Sequence, residues 1–358
     1  MLESEARSYH GSGTCTFYET ANSNQMLMDM MGLHMPGASF INSNTSLRDA
    51  LHRKLPNAHL KITALGNDYT PIGKMIDERS FVNAIVGLHA TGGSTNHAIH
   101  LITMAAADGI QLTWHDIAEI SSVFPLLARI YLNGLADINH FHAAGGMGSI
   151  IRELIEENLV HDNVHTVFGQ DLNAYAIEAK FGSDGNVVHE PALNKSGNHK
   201  VLAGWRKPFQ PDGGIRVLSG DLGTAIMQVS AVKFEHWQIE APVLVFNDQE
   251  GLQEAFKAGE LNDKDFIAVV CYQGPKANGI PKLHKLTTIL GVLQNRGQKV
   301  ALVTDGRMSG ASGEILAAIH VTSEALDHGP ISRLQDGDIV CLDAPCGQVS
   351  CFRRYGKI

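Results

Sequence analysis

Cysteine is scarce in this chain, with five in 358 residues. The number is odd as well as small, which excludes a secreted scaffold stapled by disulfides and leaves each cysteine to read as a free thiol, a nucleophile or a metal ligand. Long apolar runs are missing too. The stretches Phe266 to Tyr272 and Val123 to Leu132 fall well short of the ~20 residues that a membrane-spanning helix needs. Met1 to His10 carries Glu3 and Glu5 and no apolar centre, so it does not read as an export signal. Positive charge is also short, with 28 Lys and Arg against 37 Asp and Glu, a net charge of -9, and no long basic run. A nucleic-acid partner and a membrane partner are therefore not expected, and a cytoplasmic location is.

Apolar residues make up 44% of the chain and charged ones 18%, which excludes an intrinsically disordered polypeptide. At about 150 residues per domain the length predicts two domains. Glycine is in excess, 36 residues against a norm of roughly 7%, without a collagen period, so many backbone positions should form tight turns or close approaches.

The spacing of apolar residues predicts helices over Asn24 to Met31, Ser46 to Arg53 with Ser46 as cap, Ser80 to Leu88 and Ser149 to Leu159. Two short helices, broken near Pro125, are predicted between Leu112 and Ile130 after a Thr113 cap. Asp184 to Gly204 is polar and reads as a linker or an exposed excursion. Beyond it come short β-rich runs at Gly214 to Leu218, Val243 to Phe246, Phe266 to Val270, Val300 to Thr304, Asp338 to Leu342 and Gln348 to Phe352. Helices are expected among these at Gln249 to Ala258, Leu283 to Gln294 and Ser312 to Ile319. The fold class is thus α/β, with a partial N-terminal α/β domain over 1–188 and a β-barrel-like C-terminal domain with inserted helices over 189–358.

Four polar, turn-prone segments sit between these runs. Gly11-Ser-Gly-Thr-Cys15-Thr-Phe precedes a helix, where the positive end of the helix dipole stabilises a thiolate; a small buried cysteine is the equal alternative. Thr91-Gly-Gly-Ser94-Thr-Asn96-His forms either a backbone nest for an oxyanion or, as the better reading, a left-handed C-cap followed by the next helix's N-cap. Gln273-Gly-Pro-Lys276-Ala-Asn-Gly-Ile-Pro-Lys282-Leu-His284 follows a strand and precedes a helix, where α/β proteins place ligands. Lys276 there is either a point charge for phosphate or carboxylate or, more simply, a solvated lysine. In Val303-Thr-Asp305-Gly-Arg307-Met-Ser309-Gly-Ala-Ser312, Ser312 reads as an N-cap. Ser309 is either a turn serine or, given a metal or preorganised donors, a base or nucleophile. Cys341, Cys346 and Cys351 fit a strand, turn, strand hairpin better than a metal site.

Together these segments resemble one family, the dihydroxyacid and phosphogluconate dehydratases. Val303 to Ser312 resembles the family's C-terminal signature. Gly13 to Tyr18, Ala21 to Asn24, Pro71 to Asp77, Ala136 to Phe141 and Gln273 to Gly279 resemble the members that act on 6-phosphogluconate. The resemblance runs in order along the whole chain. It implies loss of water from 6-phosphogluconate, a sugar-acid phosphate, to give 2-keto-3-deoxy-6-phosphogluconate in gluconate metabolism by the Entner-Doudoroff pathway. Such chemistry needs a base for a weakly acidic C2 proton, a cation for the enediolate and a Lewis acid for the leaving hydroxide. The resemblance implies an iron-sulfur cluster, 4Fe-4S in preference to 2Fe-2S, with Cys15 as one ligand, and Mg2+ for the substrate. It implies Ser309 as base and Ser94, Asn96, Lys276 and Arg307 as substrate-binding residues, with Asp305 shaping the site.

This sequence departs from the family pattern in ways that matter. The family's Cys-Asp-Lys signature, a source of another cluster cysteine and of metal ligands, has no counterpart, and Lys282 stands where the family has a metal-binding Glu. An ammonium there repels Mg2+. Glu19 stands where the family usually has Gly, close to Cys15. The expectation is a homologue truncated at both ends, with an incomplete Mg2+ ligand set and little activity by itself. It is expected to form a homodimer or associate with a full-length homologue. The alternative is a non-catalytic remnant or partner subunit. A sister specificity for branched-chain dihydroxy acids or pentonates is disfavoured by Ala277-Asn-Gly279 and Asp137 to Phe141.

Overall fold

The computed structural model describes residues 15–309 and 313–352. Gly11 to Thr14 of the cysteine loop and the Ser312 cap lie outside the described residues. The chain divides into two compact units. The first comprises the described residues up to Thr113 together with Ile120–Gly213, and the second Trp114–Glu119 together with the described residues from Gly214.

In the first unit the helices are α1 (Thr20–Met30), α2 (Ser46–Ile62), α3 (Ile72–Met75), α4 (Glu78–Thr91) and α5 (His97–Ala107). After α6 (Trp114–Val123), whose first six residues group with the second unit, come α7 (Ile138–Ala143) and α8 (Gly146–Glu156). The α4 helix starts at Asp77, whose carboxylate accepts from the amides of Arg79 and Ser80, and it stops at Gly92 in the left-handed conformation (φ 62°). Between these caps nearly every side chain from Ser80 to Thr91 is buried, so α4 is the axis around which the unit packs. Gly87 lets α1 lie close against it, because a Cβ there would come within 2.5 Å of Met30 and 2.7 Å of Met26. Two small hairpins complete the unit, β1 (His165–Thr166) with β2 (Gly169–Gln170) and β3 (Ile177–Phe181) with β4 (Val187–Pro191).

Several local expectations change here. The α2 cap is Thr45, whose hydroxyl accepts from Arg48 N at 3.2 Å, not Ser46. Only one helix forms between Leu112 and Ile130. Past Val123 the chain extends, bridging Leu126 to Gln210 and Ala128 to Leu202. The polar excursion is built in rather than loose. Its early part is β4, and Val201 O, Ala203 N and Phe209 N bond the backbone of Arg129, Leu127 and Leu126, which carries the first unit on to Gly213, past residue 188.

The second unit is a closed barrel of eight strands in the order β10-β6-β5-β12-β11-β7-β8-β9. They are β5 (Ile215–Gly220), β6 (Gly223–Gln228), β7 (Gln238–Phe246), β8 (Phe266–Val270), β9 (Val300–Thr304), β10 (Ala317–Thr322), β11 (Ile339–Asp343) and β12 (Gln348–Phe352). Strands β7, β8, β9 and β10 are parallel to one another in sequence of pairing. The helices α9 (Gln249–Lys257) and α11 (Leu286–Asn295) pack on that side. Every residue of β8 and β9 is consequently buried, as expected for strands covered on both faces. The interior is filled by side chains such as Leu218, Met227, Val243, Ile267, Val303 and Val349. The helix expected over Ser312 to Ile319 is a correction: Ala317–Thr322 is strand, pairing parallel to β9 and antiparallel to β6 to shut the barrel.

The turn between β5 and β6 passes against β12, where a Cβ on Gly220 would overlap the Val349 carbonyl. A backbone oxygen cannot swing aside as a side chain can. The Gly220→Ala variant is expected to lose about 2 kcal/mol or more of barrel stability, read by urea unfolding. An unchanged midpoint would show that the turn is free to shift.

Candidate active site

The described site residues fall into two groups, one on each unit. In the first unit, Cys15 and the Thr91 to His97 loop, far apart in sequence, meet at the start of α1. Asn22 Nδ2 donates to the carbonyls of Cys15 and Phe17 at 2.9 and 2.6 Å, folding the cysteine loop back over the first turn of α1. Thr20 Oγ1 lies 3.0 Å from Ser94 Oγ and accepts from Asn96 Nδ2 at 2.9 Å. Ser94 Oγ in turn accepts from Asn96 N at 3.2 Å, and Tyr18 donates its hydroxyl to Thr91 at 2.9 Å. Gly92 does form the left-handed C-cap that the sequence favoured, while Ser94 and Asn96 also reach across to Thr20. Cys15 is exposed, ahead of α1's N-terminal amides.

Sequence reasoning missed Ser23 and His97, which sit beneath this cluster. Ser23 Oγ lies 2.9 Å from the Glu19 carbonyl and 2.8 Å from His97 Nε2, and accepts from Ser94 N at 3.3 Å. Its single proton suits the carbonyl, which can only accept, so His97 presents Nε2–H to the hydroxyl oxygen. His97 is fully buried. Burial, with His100 beside it, holds its pKa down to about 3, so the ring is neutral. The signal available was only His97 following the Gly-Gly-Ser-Thr-Asn loop; its partner lies 74 residues earlier.

In the second unit the loops after β8 and β9 leave the carboxyl ends of neighbouring parallel strands, the position where such sheets hold ligands. Asp305 ties them together. It is 1% exposed, and its carboxylate accepts from Tyr272 N (3.2 Å), Gln273 N (2.9 Å) and Ala325 N (2.9 Å). Arg307 Nε donates to Ile280 O at 2.7 Å, and Leu283 N to Arg307 O at 3.0 Å, so the Lys276 to Lys282 loop and the Arg307 to Ser309 segment run side by side. Lys276 is exposed and pairs with Asp327 at 2.5 Å, a hydrogen-bonded charge pair that raises its pKa. Lys282 is exposed, its backbone bridged to Arg307. Ser309 is half-buried at the end of its described segment, and the chain leads on to strand rather than to the helix expected there.

Cys271, Cys341 and Cys346 are poor thiolates. Burial pushes Cys271 up to about 12. Cys341 and Cys346 lie on the β11–β12 hairpin as expected, where burial raises the first and the Asp343 charge the second. Iron-sulfur clusters are held by several thiolates. Among the described residues no group of three or more His, Cys, Asp or Glu is placed to hold a metal. A cavity of about 210 Å³ between α8 and residues 193–204 includes none of the predicted site residues.

Both units match one family of lyases. Residues 1–175 fit the model of the dihydroxy-acid/6-phosphogluconate dehydratase N-terminal domain and residues 200–353 that of the C-terminal domain, and the chain belongs to this dehydratase family. It is 63% identical over 349 residues to the phosphogluconate dehydratase of Rhizobium meliloti (strain 1021), covering 98% of this chain and 57% of that protein. With the phosphogluconate dehydratase of Escherichia coli (strain K12) it shares 51% over 350 residues, 98% of this chain and 58% of that one. With the dihydroxy-acid dehydratase of Sulfurisphaera tokodaii it shares 34% over 345 residues, 95% of this chain and 58% of that one. The chain spans rather more than half the length of the curated relatives it matches. No helix among the described residues is long and apolar enough to cross a membrane.

Proposed function

We propose that this chain carries the Cys15 and Ser309 parts of a site that dehydrates 6-phosphogluconate to 2-keto-3-deoxy-6-phosphogluconate, a step of gluconate breakdown in the cytoplasm. One observation carries the choice of substrate: identity to the phosphogluconate dehydratases, 63% and 51%, is far above the 34% shared with the dihydroxy-acid enzyme. In this reading Cys15 would hold an iron-sulfur cluster through one thiolate, and the cluster would supply the Lewis acidity that the leaving hydroxide needs. Ser309 takes the C2 proton, and Ser94, Asn96, Lys276 and Arg307 bind the substrate's anionic and hydroxyl groups. In this reading the sequence offers Cys15 as a cluster ligand and places Lys282 where the family has a metal-binding Glu, so a polypeptide of these 358 residues is expected to show little turnover by itself and to act with a full-length homologue or a second copy.

A chimera tests this. The 349 matched residues of the Rhizobium meliloti enzyme are replaced by those of this chain, with either Lys282 or Glu at 282, and assayed anaerobically with iron, sulfide and Mg2+. The Lys282→Glu chimera is expected to dehydrate 6-phosphogluconate in preference to a branched-chain dihydroxy acid, at least about tenfold faster than the Lys282 form. The opposite substrate preference, or no turnover with Glu at 282, would overturn the assignment.

A further inference from the structure

Among the described residues Glu324 is the one buried carboxylate in the second unit, besides Asp305, that reaches into these loops, and neither motif points to it. It is 7% exposed. It lies 48 residues after Lys276, yet its two oxygens accept from Lys276 N at 3.0 Å and Ala277 N at 3.1 Å. These are the first free amides of the short helix α10 (Pro275–Asn278), because Pro275 at its start has no N–H to give. Gly274 completes the fit: a Cβ there would overlap the Glu324 carboxylate. The Gly-Pro-Lys-Ala sequence is thus shaped around Glu324, which accounts for Gly274 and Pro275 without reference to any ligand.

Three residues along from Glu324, Asp327 holds the Lys276 ammonium at 2.5 Å. The two carboxylates act differently on the same residue. Glu324 is buried and grips the backbone, which sets where the turn stands. Asp327 is 42% exposed and grips the side chain, which is itself 63% exposed, so the pair is solvated and worth little. An arriving anion meets a lysine that is fixed in place and only weakly occupied.

We propose that Glu324 is the positioning residue of the Lys276 turn and that Asp327 is a displaceable occupant of Lys276, yielding the ammonium to an anionic group of the substrate. The proposal rests on the reading of Lys276 as substrate-binding. Neither carboxylate touches the reacting atoms.

Isothermal titration of the 358-residue polypeptide with 6-phosphogluconate, and separately with inorganic phosphate, tests it. Asp327→Asn is expected to tighten 6-phosphogluconate binding about threefold, the size of a surface pair removed, with the thermal midpoint lowered by no more than about 2 °C. Glu324→Gln puts an amide NH2 against a backbone donor and is expected to weaken binding about tenfold, as is Lys276→Ala, with the double variant no weaker than either single one. Should Glu324→Gln unfold the barrel, the Asp327→Asn and Lys276→Ala measurements still decide the matter. If 6-phosphogluconate binds and Asp327→Asn leaves its Kd unchanged, the displaceable pair is wrong while the substrate reading stands. If only phosphate binds, more tightly in Asp327→Asn, the pair stands and the substrate reading falls. No anion binding in any variant overturns both.

Discussion

Acidification from pH 7 to pH 4 is expected to weaken the first unit by about 3 kcal/mol through His97 alone. His97 is neutral in the fold, with its pKa pushed down to about 3 from 6.5. Above pH 6.5 the ring is neutral in both folded and unfolded chains and adds no pH dependence. Below it the unfolded chain takes up a proton that the folded one refuses, so stability falls steadily until the pH nears 3 and then levels. The geometry explains the refusal. Nε2–H is already committed to Ser23, and a second proton on buried Nδ1 has no acceptor among the described residues. Carboxylates held low by hydrogen bonds and charge, Asp77 next to Arg79 and Asp137 next to His140, contribute only further down the pH scale. His97→Gln keeps an amide donor near the Nε2 position and removes the titration. It should flatten the slope between pH 6.5 and 4, seen as amide exchange at Ser94 and Asn96 corrected for the intrinsic rate. An unchanged slope in His97→Gln would place the acid sensitivity elsewhere.

That residue illustrates what the sequence could and could not reveal. Phe266–Val270 and Val300–Thr304, nearly unbroken apolar runs, are legible to the residue because burial on both faces leaves little room for polar side chains, and Gln348–Phe352 is legible from its alternation of buried Val349 and Cys351 with more exposed neighbours. Gly223–Gln228, short and opening on Gly-Thr, was not recognised. A helix is expected over Ser312 to Ile319, since Glu-Ile-Leu-Ala-Ala carries a helical preference, and only the pairing of Ala317–Thr322 with β9 and β6 overrides it. The candidate site shows the same limit. Motif reading and resemblance nominate Cys15, Ser94, Asn96, Lys276, Arg307 and Ser309. They could not find Ser23 under Ser94 or Glu324 behind Lys276, because those partners are set by tertiary packing over 71 and 48 residues of chain. The residues missed hold the loops, whereas those found are the loops' own polar side chains.

Asp305 is where holding and chemistry are most easily confused, and its replacement has the second large expected effect. Asp305→Ala is expected to destabilise the barrel unit by about 3 kcal/mol, since it strands two buried amide donors and one part-buried one, each buried donor worth about 1–3 kcal/mol when unsatisfied. Two of the donors, Tyr272 N and Gln273 N, are successive. Tyr272 takes a positive φ of 60°, unfavourable for a side chain of that size, and the carboxylate bonding both amides stabilises that turn. The third, Ala325 N, directly follows Glu324, so the same carboxylate also fixes the residue that grips the Lys276 turn. Loss of Asp305 should therefore spread in a definite pattern. Amide exchange should rise first at Tyr272, Gln273 and Ala325, then at Lys276 and Ala277, while β11 and β12 on the opposite arc of the barrel keep their protection. Asp305→Asn retains one acceptor oxygen but turns an NH2 toward a donor, and should fall between the two. Full stability and wild-type protection at Tyr272, Gln273 and Ala325 in Asp305→Ala would overturn this role, whereas the three amide bonds assign Asp305 to the frame that carries Arg307 and Ser309.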